Sequence, residues 1–210
     1  MNDMRKILLG MAVAFTAVML AGCGKSQQTG KEGMCRIHGT IPEQYNDKRI
    51  FLVPLTGPQT AEYVDSIEVK DGKFEFATDT LMMAKILVDY HYRMGVQPLL
   101  VVTEPGDVQV VIGETSSATG TPQNDSLEQW KLVTESHNSQ LAQLSRENKS
   151  EQADSVHLVY KLYTRQLAKN LEGTVLGDFL GSLYPLTYKR KYPDGRVVTI
   201  NADTNEEIPE

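Results

Sequence analysis

The groups in this sequence that could take part in catalysis or metal binding are the cysteine, histidine, serine and acidic side chains. Their spacing limits which catalytic or metal-binding motifs they can form. The four histidines are His38, His91, His137 and His157. None of them lies in a G-x-S-x-G or an H-E-x-x-H pattern. Asp65 and Ser66 are neighbours on a predicted strand, where successive side chains point to opposite faces, so they form no local acid–nucleophile pair. We therefore predict no catalytic residue, no metal site and no cofactor.

Length, composition and charge narrow the classes of protein further. The chain has 210 residues, of which 40% are hydrophobic and 23% are charged, as is typical of a folded globular protein. Lys and Arg together number 21 against 27 Asp and Glu, which gives a net charge of −6. A protein that neutralises phosphates usually has a basic excess, so we predict no nucleic-acid partner.

The first 23 residues carry an export pattern. Arg5 and Lys6 precede an uncharged, mostly apolar stretch over residues 7–20, which is 14 residues long. A helix of that length spans about 21 Å, less than the roughly 30 Å of a bilayer core. The sequence Leu20-Ala21-Gly22-Cys23 follows and resembles a bacterial lipobox, in which the cysteine is acylated and the chain is cut before it. We predict a signal peptide over residues 1–22, lipidation of Cys23 and a flexible tether over residues 23–33.

Lipidation of Cys23 would place the protein in the cell envelope and leave Cys35 as the one free thiol. Through its N-terminal lipid the protein would be anchored in the cell envelope. No acidic cluster follows Cys23, which favours the periplasmic face, and we expect the membrane to be the outer one. Cys35 then has no second thiol, so an intramolecular disulfide and a C-x-x-C redox centre are excluded. It alternates with Ile37 and Ile41 on a predicted strand. We interpret it as a buried, unreactive thiol, with a reactive thiol as the alternative.

Residues 34–115 read as short strands with turns between them. The predicted strands lie near 34–41, 48–55, 61–69, 73–78, 85–92, 97–104 and 107–113. Asp71-Gly72 predicts a hairpin that pairs Val69 with Phe74 and Ile67 with Phe76. Pro105-Gly106 predicts a second hairpin between the last two of these strands. Seven such strands indicate an antiparallel β-sandwich or a partly open barrel. The last strands are apolar on both faces, so we expect the following helices to cover the outer one.

Residues 116–184 predict an antiparallel helical hairpin packed on this β half, which makes the fold α+β. A polar linker over 116–123 leads to a helix capped by Asn124 or Asp125. A second helix follows a polar break at 148–152, and a short third helix precedes Pro185. The aromatic side chains with a speculative partner-binding role are Trp130, Tyr160 and Tyr163. The alternative is that they form the core of the hairpin, as we also expect of His137.

Residues 185–210 are predicted to form a C-terminal hairpin and tail. Asp194-Gly195 provides the turn between strands near 188–192 and 196–200. The residues from 201 onward are acidic, and we expect them to be frayed.

Five short segments resemble a known module. They are Gly39-Thr40-Ile41, Arg49-Ile50-Phe51-Leu52, Asp65-Ser66-Ile67, Asp71-Gly72-Lys73-Phe74-Glu75-Phe76 and Glu104-Pro105-Gly106-Asp107. Gly120-Thr121 with Asn124-Asp125 extends the likeness, which covers residues 34–130 and more loosely 131–184. The chain thus resembles the N-terminal domain of unknown function that precedes the thioredoxin domain in TlpA/ResA-type lipoproteins of Bacteroidetes. That module has no agreed catalytic residues, and here no thioredoxin domain follows it.

Two functions are consistent with these patterns. The first is a non-catalytic, lipid-anchored envelope protein that binds an envelope protein or a small ligand. The alternative is an accessory of periplasmic thiol–disulfide exchange that uses Cys35, or an unrecognised envelope enzyme. A closed core with an exposed apolar patch would favour the first, and an open apolar pocket with convergent polar groups the second.

Overall fold

The computed structural model describes residues 33–60, 62–88 and 98–209. Within these ranges the chain forms two four-stranded sheets, three α-helices and a three-stranded C-terminal sheet. The predicted α+β class is confirmed.

The first sheet contains four strands in the order β4-β1-β7-β8. Their bounds are Cys35–Thr40 for β1, Lys73–Thr78 for β4, Gly106–Val111 for β7 and Ser117–Thr119 for β8. Strand β1 is antiparallel to β4 and parallel to β7, and β7 is antiparallel to β8. One parallel pair therefore lies in the centre of a sheet that we predicted to be wholly antiparallel.

The second sheet has the order β3-β2-β5-β6, with every neighbouring pair antiparallel. Its strands are Arg49–Pro54 for β2, Asp65–Glu68 for β3, Met83–Val88 for β5 and Leu99–Val102 for β6. A short 3-10 helix, Glu43–Tyr45, lies between β1 and β2. Part of the predicted strand 85–92 lies outside the described residues.

The two sheets share one apolar core. Ile37 and Val108 from the first sheet, and Leu52, Ile86 and Val101 from the second, are at most 1% exposed and belong to the same cluster. In β4 the buried Phe74 and Phe76 alternate with exposed charged residues, the pattern of a sheet with one solvated face. The sandwich-like arrangement is confirmed.

The predicted strand pairing at Asp71-Gly72 is wrong, although the turn itself forms. Both turn residues have positive φ, 53° and 66°, and Lys70 and Lys73 exchange two backbone hydrogen bonds of 3.0 and 2.9 Å. Beyond this bridge β3 pairs with β2 while β4 pairs with β1, so Val69–Phe74 and Ile67–Phe76 are not strand partners. The chain crosses there from one sheet to the other, and Val69 and Phe74 still reach the same core.

The predicted hairpin at Pro105-Gly106 is also wrong, for the same reason. Gly106 has a φ of 129°, and the turn sends β6 and β7 into different sheets. Strand β6 pairs with β5, whereas β7 lies beside β1. A local turn signal thus marked a sheet-to-sheet corner and not a hairpin.

Three helices cover the outer face of the second sheet. They are α1, Pro122–Arg146, α2, Ser150–Asn170, and α3, Val175–Leu183. Met83 and Val102 of the sheet form one buried cluster with helical residues, among them Leu127, Leu176 and Leu180. The predicted linker over 116–123 is wrong in part, because it contains β8 and the first two residues of α1.

The C-terminal sheet has the order β11-β10-β9. Its strands are Thr187–Lys191 for β9, Val197–Asn201 for β10 and Glu207–Ile208 for β11. The predicted turn at Asp194-Gly195 is confirmed, since β9 and β10 pair antiparallel around it. The prediction of a frayed tail is wrong, because β11 pairs with β10. Asp203, between those strands, forms ion pairs with Lys161 and Arg165 of α2.

Candidate functional site

A buried carboxylate joins the sandwich to the helices. Glu104 follows β6 and is 8% exposed. Its Oε1 accepts the backbone N–H groups of Gln123 at 2.6 Å and Asn124 at 3.3 Å, and its Oε2 accepts the side-chain amide of Gln123 at 3.0 Å. These backbone groups belong to the first turn of α1, where N–H groups lack partners within the helix. Glu104 therefore caps α1 from outside it, and its negative charge suits the positive end of the helix dipole.

Asn124 does not cap the helix as predicted. Its Oδ1 accepts the N–H of Val102 at 2.9 Å, and its Nδ2 donates to the carbonyl of Val102 at 2.8 Å. Val102 lies in β6, the edge strand of the second sheet, so the Asn124 amide imitates one residue of a further strand. Thr121 occupies the N-cap position and Pro122 begins the helix. The hydrogen bonds of Glu104 and Asn124 thus join the second sheet to α1. Among the described residues, no buried side-chain N or O atom lacks a partner.

The three aromatic residues with a proposed binding role lie between helices. Trp130 and Tyr160 are 8% and 7% exposed, and Tyr163 packs against the same cluster. The Trp130 indole N–H donates to Thr164, and its ring meets Phe179 edge-on at 6.0 Å. The rings of Trp130 and Tyr160 thus take part in helix packing, in line with the alternative that they form the core of the hairpin. A partner-binding role for Trp130, Tyr160 and Tyr163 stays a prediction.

A pair of histidines stands at the end of this aromatic layer. His137 of α1 stacks on Tyr160 with ring centroids 4.0 Å apart, and its Nε2 lies 3.4 Å from Nδ1 of His157 in α2. Its Nδ1 lies 3.3 Å from Oδ1 of Asn138. Burial lowers the pKa of His137 below 6.5; the Asn138 hydrogen bond opposes this shift and the neighbouring His157 adds to it. Sequence analysis expected a packing residue at 137 and did not connect it with His157, since no spacing rule links two helices.

The outward side of α2 carries an apolar surface. Leu158, Val159 and Leu162 are 52%, 58% and 54% exposed. Their spacing places them together on one helical face, opposite the buried Tyr160 and Thr164. We call these three residues the α2 apolar face. The sequence analysis did not identify this face, since the apolar residues of the second helix do not show by themselves which of its sides is packed.

Cys35 is buried, as predicted. Its side chain is 1% exposed within the core between the two sheets. Burial is the main cause that raises its pKa to about 11, and the carboxylates of Glu104 and Asp107 raise it further. A thiol with so high a pKa forms little thiolate at neutral pH, so it is a poor nucleophile and a poor metal ligand.

His38 lies between two carboxylates on the solvent side of the first sheet. Its Nδ1 is 3.3 Å from Glu75 Oε1 and its Nε2 is 3.2 Å from Asp107 Oδ1. The three residues come from the neighbouring strands β4, β1 and β7. All three are exposed to solvent, so these ion pairs contribute little to stability. The sequence does not indicate this grouping, because the three residues come together only through pairing of strands that are distant in sequence.

Two chemically notable residues lie outside the described residues. They are Cys23, the predicted lipidation site, and His91. In the ranges that the structure covers, no group of three or more His, Cys, Asp or Glu is arranged to hold a metal ion. No helix in those ranges is long and apolar enough to cross a membrane.

Comparison with known families adds one finding. Residues 35–127 match the family model described as a domain of unknown function, DUF4369. No curated protein and no solved structure matches the chain. The matched segment, just under half of the chain, contains the sandwich and the junction built on Glu104 and Asn124. The predicted resemblance of the β half to a domain of unknown function is thus confirmed, whereas α2, α3 and the C-terminal sheet lie beyond the match.

Proposed function

We propose that the protein is a non-catalytic, lipid-anchored protein of the bacterial cell envelope that binds a protein partner through its helical layer. The observation that carries this proposal is the α2 apolar face. Leu158, Val159 and Leu162 expose more than half of their surface side by side. Contiguous apolar surface of this kind marks interaction sites in soluble domains.

The polar chemistry of the described residues supports binding over catalysis. The buried polar groups at the junction, Glu104, Gln123 and Asn124, are each engaged in hydrogen bonds within it. Cys35 is sealed in the core with a raised pKa of about 11. Within residues 33–60, 62–88 and 98–209, the structure therefore offers no support for thiol–disulfide exchange through Cys35.

The lipid anchor rests on the N-terminal sequence. Arg5 and Lys6, the apolar stretch over 7–20 and Leu20-Ala21-Gly22-Cys23 follow the order of a lipoprotein signal. The residues between Cys23 and β1 are polar and glycine-rich, as a tether requires. The proposed protein is a lipoprotein of the Bacteroidetes type, anchored in the outer membrane and facing the periplasm.

Metabolic labelling with a fatty-acid probe tests the anchor. Cys23→Ala should abolish labelling and leave an uncleaved precursor, because the acylated thiol and the cleavage position are both lost. Cys35→Ala serves as the matched control and should label as the parent does. Equal labelling of the Cys23→Ala variant and the parent would contradict the assignment.

Site-specific photo-crosslinking in intact cells tests the binding surface. A photoreactive side chain at Leu158 or Leu162 should give one discrete adduct with an envelope protein. The same probe at Gln109, exposed on the outer side of the first sheet, is the control and should not give it. Leu162→Ser should weaken the adduct formed from position 158. An identical adduct from position 109, or none from either α2 position, would show that this face is not the binding surface.

A further inference from the structure

Helices α1 and α2 bring the imidazole rings of His137 and His157 together, and other contacts between the same helices fix their relative position. Along the α1–α2 interface, Trp130 donates to Thr164 at 3.3 Å and Thr134 pairs with the Tyr160 hydroxyl at 2.6 Å. The next contact along the same interface is His137 with His157. Because the preceding contacts fix how the helices lie along each other, the two rings are positioned before any ligand arrives.

The separation of the two ring nitrogens is informative. His137 Nε2 and His157 Nδ1 lie 3.4 Å apart. Two nitrogens bound to one tetrahedral zinc ion at about 2.0–2.1 Å stand about 3.3–3.4 Å apart. The observed spacing therefore matches that of two ligands of one cation.

The environment of His137 suits metal binding as well. The amide oxygen of Asn138 accepts the proton of Nδ1 at 3.3 Å, which leaves the lone pair on Nε2, the atom that faces His157. This is the arrangement in which a neighbour fixes the tautomer of a ligating histidine. His157 is exposed and leaves room for water on the metal.

We propose that His137 and His157 form a binding site for a divalent transition-metal cation such as Zn²⁺, with water completing its coordination. Imidazole ligands select cations of this class over Mg²⁺ and Ca²⁺. His157 coordinates through Nδ1 and carries its proton on Nε2. The described residues supply no third protein ligand. The ion links α1 to α2, so it stabilises the helical layer.

Calorimetric titration with Zn²⁺ alone tests the site. The sample is the full chain in detergent, carrying Cys23→Ala so that no exposed thiol competes. One saturable site is expected, and His157→Gln should weaken it by about tenfold or more, because a direct ligand matters at least as much as its supporting partners. The matched controls His38→Gln and His91→Gln should leave the affinity unchanged. Absence of saturable binding, or loss of binding in a control, overturns the proposal.

Thermal unfolding gives a second, independent measurement. An ion that binds only the folded state raises the unfolding temperature. Zn²⁺ should therefore raise it for the parent and not for His157→Gln, a substitution at an exposed position, whatever the unfolding temperature of each protein without the ion. An equal rise in both proteins would show that Zn²⁺ binds elsewhere and would overturn the assignment.

Discussion

The Cys35 thiol lies between two sheets and close to two carboxylates. Burial first, and then Glu104 and Asp107, raise its pKa to about 11. Because the thiolate is the nucleophile, Cys35 should stay almost unmodified by iodoacetamide at pH 8 in the folded Cys23→Ala protein and react readily in urea. Mass spectrometry of the two samples measures this. Equal rates with and without urea would contradict the structural account and would reopen the thiol-exchange hypothesis.

Glu104 is a buried charged group at the junction between the sandwich and the helices, and a conservative substitution tests its role. Glu104→Gln keeps the shape but turns one acceptor oxygen into an N–H donor facing the N–H groups of Gln123. A buried donor without an acceptor costs about 1–3 kcal/mol, so the free energy of unfolding should fall by that amount. Urea denaturation measures it. The exposed Glu114→Gln is the control, and a similar loss there would contradict the capping role.

Sequence predicted some of these residues well and others not at all. The burial of Cys35 follows from alternation along one strand, which is local information. The role of Asn124 does not, because its amide pairs with Val102, a residue 22 positions earlier in the chain, and β7 and β8 lie between the two. The pairing of His137 with His157 depends on the angle and register of two helices, so no pattern within either helix indicates it.

Helix α3 is held against the end of α2 by a close approach at a glycine. A Cβ at Gly177 would stand 2.0 Å from the Leu171 carbonyl oxygen and 3.3 Å from that of Ala168. Both are backbone atoms, so Gly177→Ala should displace α3 and lower the free energy of unfolding by about 1–3 kcal/mol. Thermal or urea unfolding measures the loss.

Gly181 in the same helix is the matched control for that substitution. A Cβ there would come no closer than 3.9 Å to the Ala168 Cβ, an ordinary contact. Gly181→Ala should leave stability unchanged or raise it by up to about 1 kcal/mol, because alanine favours helix. If both alanine variants lost the same stability, the close approach at Gly177 would not be the reason.

At the level of elements, the sequence predicted where strands and helices lie better than how they pair. Positive φ at Asp71 and Gly72 follows from local turn chemistry, and the turn is present. The partner of each flanking strand depends on distant residues: β1 lies between β4 and β7, with Ile37 opposite both Phe76 and Val108. A hairpin and a sheet-to-sheet corner bury the same side chains, so the hydrophobic pattern does not distinguish them.

The whole molecule is layered, with the second sheet in the middle. Alternation in β6 sends Leu99 and Val101 into the core between the sheets, and Leu100 and Val102 toward the helices. The sheet therefore has two apolar faces, one of which requires the helical layer. This layering follows from sequence, since strands that are apolar on both faces predict a cover. Which helical residue packs on each position of the sheet does not follow from the sequence.

A fragment of residues 34–115 tests how far the sandwich depends on the helices. It would lack β8 and all three helices, expose Met83 and Val102, and leave the Glu104 carboxylate without the N–H groups that it caps. We expect this fragment to aggregate in size-exclusion chromatography, because an uncovered apolar sheet face associates. The matched control, residues 34–184, retains the helical layer and should elute as one soluble species with a cooperative unfolding transition. A monomeric 34–115 fragment with a sharp transition of its own would show that the sandwich folds independently. The helical layer would then be an attached binding element and not a necessary part of the core.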